Sequence, residues 1–64
     1  MDKKYHYFAA YQGTRKSGES VIGNSEITLN FPVLGIEDIR TMEKIILEDD
    51  KTLSYAMITN WREF

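Results

Sequence analysis

The chain has 64 residues, a net charge of −2 and no cysteine, which excludes disulfide bonds and thiolate metal sites. Its ten acidic and eight basic residues lack the basic excess that is typical of general nucleic-acid binding. The single histidine excludes a multi-histidine metal site within one chain. We therefore expect one domain over residues 1–64 that uses neither a metal nor a cofactor, and the charge argues against general nucleic-acid binding.

The start of the chain does not resemble a secretory signal, because residues 1–4 lead into alternating aromatic residues instead of an apolar segment. No stretch approaches the roughly 18 apolar residues of a membrane span. The absence of cysteine also fits a reducing compartment. We expect a soluble, cytoplasmic protein without a membrane partner.

The first predicted element is a strand over residues 4–12, because its aromatic residues favour extended backbone. Strand side chains alternate between the two faces of a sheet. One face therefore carries Tyr5, Tyr7, Ala9 and Tyr11, and the other carries Phe8 and Ala10. Both faces are apolar, so both need a cover. Residues 13–18 are polar and bounded by glycine, which predicts a hairpin connection.

A second strand is predicted over residues 19–31, where Ser25, Ile27 and Leu29 alternate with polar residues. Gly23 interrupts this pattern and predicts either a bulge or a close approach of another group. Pro32 has no backbone N–H, so the strand pairing is expected to end before it.

The helix is predicted over residues 36–47, with Gly35 as the N-cap and acidic residues in the first turn. Its apolar stripe consists of Ile36, Ile39, Met42, Ile46 and Leu47. Glu43 falls inside this stripe, where an unpaired charge is costly. Two interpretations stay open: Glu43 pairs with Arg40, Lys44 or a base of a neighbouring chain, or it binds a partner.

The last strand is predicted over residues 53–61, with Tyr55, Met57 and Trp61 on one face and Ala56 and Ile58 on the other. The order β-β-α-β brings this strand beside the first one. We predict an α+β fold in which a three-stranded antiparallel sheet, ordered 2-1-3, carries one helix on one face. The alternative places the third strand parallel to the second through a right-handed crossover. The predicted core consists of Phe8, Ile27, Leu29, Ile39, Met42, Ile46 and Ile58.

One helix covers only one face of the sheet, so the second apolar face predicts self-association. A domain of this size buries only about 60% of its unfolded surface, and small folds often compensate by oligomerising. We predict a homodimer. The candidate interface residues are Tyr5, Tyr7, Tyr11, Glu43, Tyr55, Met57 and Trp61.

No pattern in the sequence predicts catalysis. His6 has no nucleophile or acid at a fixed spacing and is interpreted as a strand histidine near the end of the sheet. Residues 13–18 lack the GxxxxGK[ST] residues of a phosphate-binding loop. Residues 48–50 lack the spacing of a calcium loop. We predict no catalytic, cofactor or metal residues, and therefore no enzyme.

Four segments together resemble short phage- and prophage-encoded proteins of Gram-positive bacteria, and they span most of the chain. The segments are residues 7–11, residues 23–24, residues 36–39 with 42–43, and residues 58–61. The small anti-Hachiman inhibitors of bacterial anti-phage defence are similar in length and general pattern. The resemblance implies a non-enzymatic inhibitor that binds a host protein in the bacterial cytoplasm. The alternative is a structural or regulatory accessory module that binds nucleic acid or another phage protein.

Overall fold

The three strands form one fully antiparallel sheet in the order β2-β1-β3, as a computed structural model of the chain shows. The structure describes residues 3–64, so Met1 and Asp2 of the predicted N-terminal segment lie outside the described residues. The elements are β1 (Tyr5–Arg15), β2 (Ser20–Leu29), α1 (Ile36–Asp49) and β3 (Leu53–Glu63). The predicted α+β class, strand order and single helix are confirmed, and the parallel alternative is not adopted.

The strand β1 extends to Arg15, three residues beyond the predicted end, because it pairs with a strand on each side. Because β1 is the central strand, both of its sides gain ladder hydrogen bonds, which do not depend on side-chain type. The hairpin then closes tightly: the Gly18 N–H donates to the Arg15 carbonyl at 2.8 Å. Gly18 has a φ of 99°, a backbone conformation that glycine adopts at little steric cost.

The helix covers the face of the sheet that carries Tyr7 and Ala9, which are 1% and 0% exposed. Pairing with β1 places Ile27 and Trp61 on the same face. The buried apolar core consists of Tyr7, Ala9, Ile27, Leu29, Val33, Met42, Ile46, Leu53 and Ala56. Four predicted core residues, Ile27, Leu29, Met42 and Ile46, are confirmed.

The remaining predicted core residues are only partly buried. Ile39 and Ile58 pack at the margin of the core. Phe8 lies on the opposite face of the sheet, because strand alternation separates it from Tyr7. Its prediction as a core residue is therefore corrected. Ile36, predicted to belong to the apolar stripe, is largely exposed because the buried side of α1 centres on Met42 and Ile46.

Tyr7 ties the segment before the helix to the sheet. Its hydroxyl accepts a hydrogen bond from the Val33 N–H at 2.8 Å. Its ring meets Trp61 edge to face, with centroids 5.7 Å apart and planes at 73°. Trp61, a candidate interface residue, thus packs against the core. The segment between β2 and α1 is thereby bonded to the fully buried side chain of Tyr7.

The predicted irregularity at Gly23 is a close approach and not a bulge. The β1–β2 register is continuous across it, and a Cβ there would lie 2.8 Å from the Tyr11 hydroxyl oxygen. The sheet's bulges lie in β3 instead: Ile58 faces Tyr11 while Asn60 faces Ala10, which leaves Thr59 unpaired. A second register shift lies between Tyr55 and Leu53.

Candidate interaction surface

The face of the sheet opposite α1 has no element packed on it within residues 3–64. We call it the open face. It is formed by the even-numbered residues 6–14 of β1 and 20–28 of β2, with Tyr55, Met57, Asn60 and Arg62 of β3. Strand alternation and the pairing register assign these residues to one side.

Near the hairpin end of the open face, exposed apolar side chains form a row that the polar Gln12 interrupts. Gln12 of β1 is paired with Ile22 on one side and with Met57 on the other. Ile22 is 87% exposed, Met57 38%, and the neighbouring Tyr55 53%. Large apolar side chains that cluster on a surface in this way mark interaction sites more often than single exposed ones do.

Beside this row lies a shallow cavity of about 150 Å³, lined by Gln12, Gly13, Thr14, Ser20, Tyr55 and Met57. Pockets for small-molecule ligands usually enclose about 300–1,000 Å³. The cavity is therefore better suited to a single side chain of a protein partner than to a substrate. At Gly13 the strands β1 and β3 approach closely, since a Cβ there would lie 2.6 Å from the Tyr55 carbonyl oxygen.

The other half of the open face is more polar. The register places Phe8 between Glu26 of β2 and Arg62 of β3. His6 has its Nδ1 atom 3.1 Å from the Thr28 hydroxyl oxygen. Apolar residues beside polar and charged ones are the usual composition of a protein-binding surface.

The structure divides the seven candidate interface residues between the two faces. Tyr55 and Met57 lie exposed on the open face. Tyr5, Tyr11 and Trp61 lie on the face that α1 covers and pack against the core. The two remaining candidates, Tyr7 and Glu43, are buried within the chain and have almost no surface to offer a partner.

The bulge at Thr59 explains why Trp61 was assigned to the wrong face. Strict alternation along β3 places Trp61 with Tyr55 and Met57. The extra residue reverses the alternation, so Trp61 lies on the helix side, opposite Ala9.

Glu43 is a structural carboxylate. Its Oε1 accepts a hydrogen bond from the Arg40 guanidinium at 2.7 Å, which confirms the pairing interpretation. Its Oε2 accepts one from the backbone N–H of Ile58, also at 2.7 Å. The hydrogen bond, and then the charge, of Glu43 raises the pKa of Arg40 above its ordinary value. The Ile58 contact could not be predicted, because it depends on the bulge in β3.

Glu48 and Asp49 of the acidic segment end α1, and Asp50 after them lies in a hydrogen-bonded turn. Asp50 accepts hydrogen bonds from the Thr52 hydroxyl at 2.6 Å and from the Thr52 N–H at 3.0 Å. These two bonds, in that order, hold the pKa of Asp50 below its ordinary value. Within residues 3–64 no three histidine, aspartate or glutamate side chains converge as a metal site requires.

No helix among the described residues has the length and apolar character needed to cross a membrane. In comparisons with known proteins, no family model, curated protein or solved structure matches the chain.

Proposed function

We propose that this chain is a non-enzymatic binding protein of phage origin that contacts a host protein through its open face and thereby inhibits an anti-phage defence system. The observation that carries the binding role is the exposed apolar row of Ile22, Tyr55 and Met57. Such side chains, beside more polar ones, supply most of the energy of protein interfaces. The identity of the partner class is supported by the resemblance to phage-encoded inhibitors.

The chemistry of the open face supports binding in preference to turnover. Its side chains are mainly apolar or neutral hydrogen-bonding groups, and its histidine contacts a threonine hydroxyl. The adjacent cavity holds about 150 Å³, which is small for a substrate. An inhibitor of this kind acts by occupying a surface of its target. We propose further that it acts as a homodimer, because one small core per chain provides a limited stability margin.

The test is the plating of phage on bacteria that each carry one defence system, Hachiman among them. We expect the wild-type protein to restore plating by orders of magnitude on one such strain. The double variant Tyr55→Lys/Met57→Lys is expected to lose this effect, because two charges then interrupt the apolar row. Both side chains are exposed, so circular dichroism should show an unchanged fold.

The matched control is Glu48→Lys, which introduces the same charge at an exposed position on the last turn of α1. A basic residue is favoured there by the helix dipole, so this variant should restore plating like the wild type. Full activity of the double variant would contradict the role of the open face. Failure of the wild type on every strain would contradict the anti-defence role and favour the accessory-module alternative.

A further inference from the structure

The two free edges of the sheet differ in how their backbone groups are used. The Arg15 N–H donates to the Glu19 carbonyl at 2.8 Å. This bond shows that the odd-numbered residues of β1 and β2 are the ones that form hydrogen bonds between the two strands. Backbone groups alternate in direction along an antiparallel strand. Odd-numbered residues of β2 therefore direct their N–H and C=O groups toward β1. Its even-numbered residues 20–28 direct theirs to the outer edge. The Phe64 N–H donates to the His6 carbonyl on the β3 side of β1, in agreement with this alternation.

The outer edge of β3 is interrupted by hydrogen bonds within the chain itself. The outward N–H of Ile58 donates to Glu43, and that of Trp61 donates to the Asn60 side-chain oxygen at 2.9 Å. The N–H of Leu53 donates to the Asp50 carbonyl at 3.2 Å. Two register shifts also interrupt this strand. Bulges and inward-directed charges of this kind protect natural sheets from pairing at their edges.

The outer edge of β2 carries none of these protections. No group within residues 3–64 hydrogen-bonds to the outward backbone atoms of its even-numbered residues. The strand runs for 10 residues in continuous register with β1 and contains neither proline nor lysine. A long edge strand without a bulge is a template for pairing with another strand.

We propose that β2 pairs antiparallel with β2 of a second copy of this chain, around a two-fold axis at Asn24. The five outward residues, each with one donor and one acceptor, then form about ten hydrogen bonds between the chains. In this register Glu26 lies opposite the partner's Ile22. A register centred on Glu26 would instead place two like charges opposite each other, which is destabilising.

The interrupted edge of β3 explains why this association stops at two copies. Each chain offers one open edge, so the pairing is isologous and closes as a dimer. The three-stranded sheets join into one sheet of six strands, with both open faces on the same side. This inference deepens the proposed function, since the joined open face is the surface proposed to bind the target. The pairing itself is measurable without any target.

Light scattering after size exclusion, at micromolar concentration, tests the pairing. The wild type should have about twice the chain mass of 7.5 kDa. Asn24→Pro should have the mass of one chain with an unchanged circular dichroism spectrum. The Asn24 N–H faces outward, so proline there removes no bond to β1 but blocks the edge at the axis. The double variant Tyr55→Lys/Met57→Lys should remain a dimer.

Disulfide trapping is a second readout that does not depend on how well Asn24→Pro folds. The chain has no cysteine, so each single-cysteine variant reports on one position. Asn24→Cys should form a cross-linked dimer under mild oxidation, because the paired Cα atoms are then about 5.5 Å apart. Ser20→Cys, on the same edge, should not, because its two copies lie eight residues, or about 26 Å, apart.

A wild-type monomer, or cross-linking of Ser20→Cys as readily as of Asn24→Cys, would overturn the pairing. A folded Asn24→Pro variant that remained a dimer would do the same. If the wild type were a monomer that still relieved a defence system, the edge pairing and the proposed homodimer would fail, while the proposed inhibition through the open face would stand. A wild-type dimer that relieved no defence system would support the edge pairing and contradict the proposed inhibition.

Discussion

Replacement of Tyr7 by alanine is expected to lower the free energy of unfolding by about 3–5 kcal/mol, the range for an aromatic residue lost from a core. Tyr7 is almost fully buried, packs against Trp61 and anchors Val33 through its hydroxyl. Domains of this size have a total stability of roughly 3–10 kcal/mol. We therefore expect the variant to be largely unfolded, as measured by urea denaturation followed by circular dichroism.

Tyr7→Phe removes the hydroxyl and keeps the ring, so it measures the contribution of the hydroxyl alone. It leaves the Val33 N–H buried without its acceptor, which is expected to cost about 1–3 kcal/mol. Tyr55→Phe is the matched control, since that tyrosine is 53% exposed and should change stability by less than about 0.5 kcal/mol. Equal stability of the two variants would show that the Tyr7 hydroxyl does not hold the segment before α1.

The second large effect is expected at Glu43. Glu43→Ala removes both a partner of Arg40 and the acceptor for the Ile58 N–H at the bulge. A hydrogen bond to a charged group contributes about 1.5–3 kcal/mol, so we expect a loss of at least that size. Glu43→Gln should lose less, because the amide oxygen can still accept from Ile58. Chemical denaturation of the purified variants measures both.

Glu48→Ala is the control for this series, because Glu48 lies on the same helix and is exposed. It should change stability by less than about 0.5 kcal/mol. The role assigned to Glu43 is contradicted if Glu43→Ala and Glu48→Ala are equally stable. It is also contradicted if Glu43→Gln is the more destabilising of the two changes at that position.

The fold was predictable because the signals of neighbouring elements agree. Ile27 and Leu29 alternate cleanly with polar residues, and Gly35 precedes a helical apolar stripe that includes Met42 and Ile46. With one hairpin and one helix, few topologies remain. The face covered by the helix was harder to predict, since both faces of β1 are apolar.

Register decides between those two faces. Phe8 is paired with Glu26 and Arg62, whereas Tyr7 is paired with Ile27. The charged partners of Phe8 identify the open face. The sequence of β1 alone does not show which residues of β2 and β3 pair with it. For the same reason, the alternation in β3 was misjudged after Thr59, where a bulge depends on pairing geometry that no local residue pattern specifies.

The candidate site was predictable only in part. Exposed Tyr55 and Met57 followed from the surplus of apolar strand residues, but Tyr7 and Glu43 were also selected although they lie inside the chain. A buried glutamate and an interface glutamate have the same sequence signature, namely a charge in an apolar stripe. Only the contacts with Arg40 and Ile58 separate the two.

The most direct test of the proposed mechanism, stoichiometric binding without turnover, is a titration of the activity of the target defence protein. The target is first identified from the strain on which plating is restored. We predict that inhibition rises linearly and saturates near one homodimer per target site. His6→Ala removes an exposed side chain of the open face, so its curve should still saturate near one homodimer per target site, even where the affinity is lower. Inactivation of excess target by a trace of this protein, lost in a folded His6→Ala variant, would contradict binding and indicate catalysis.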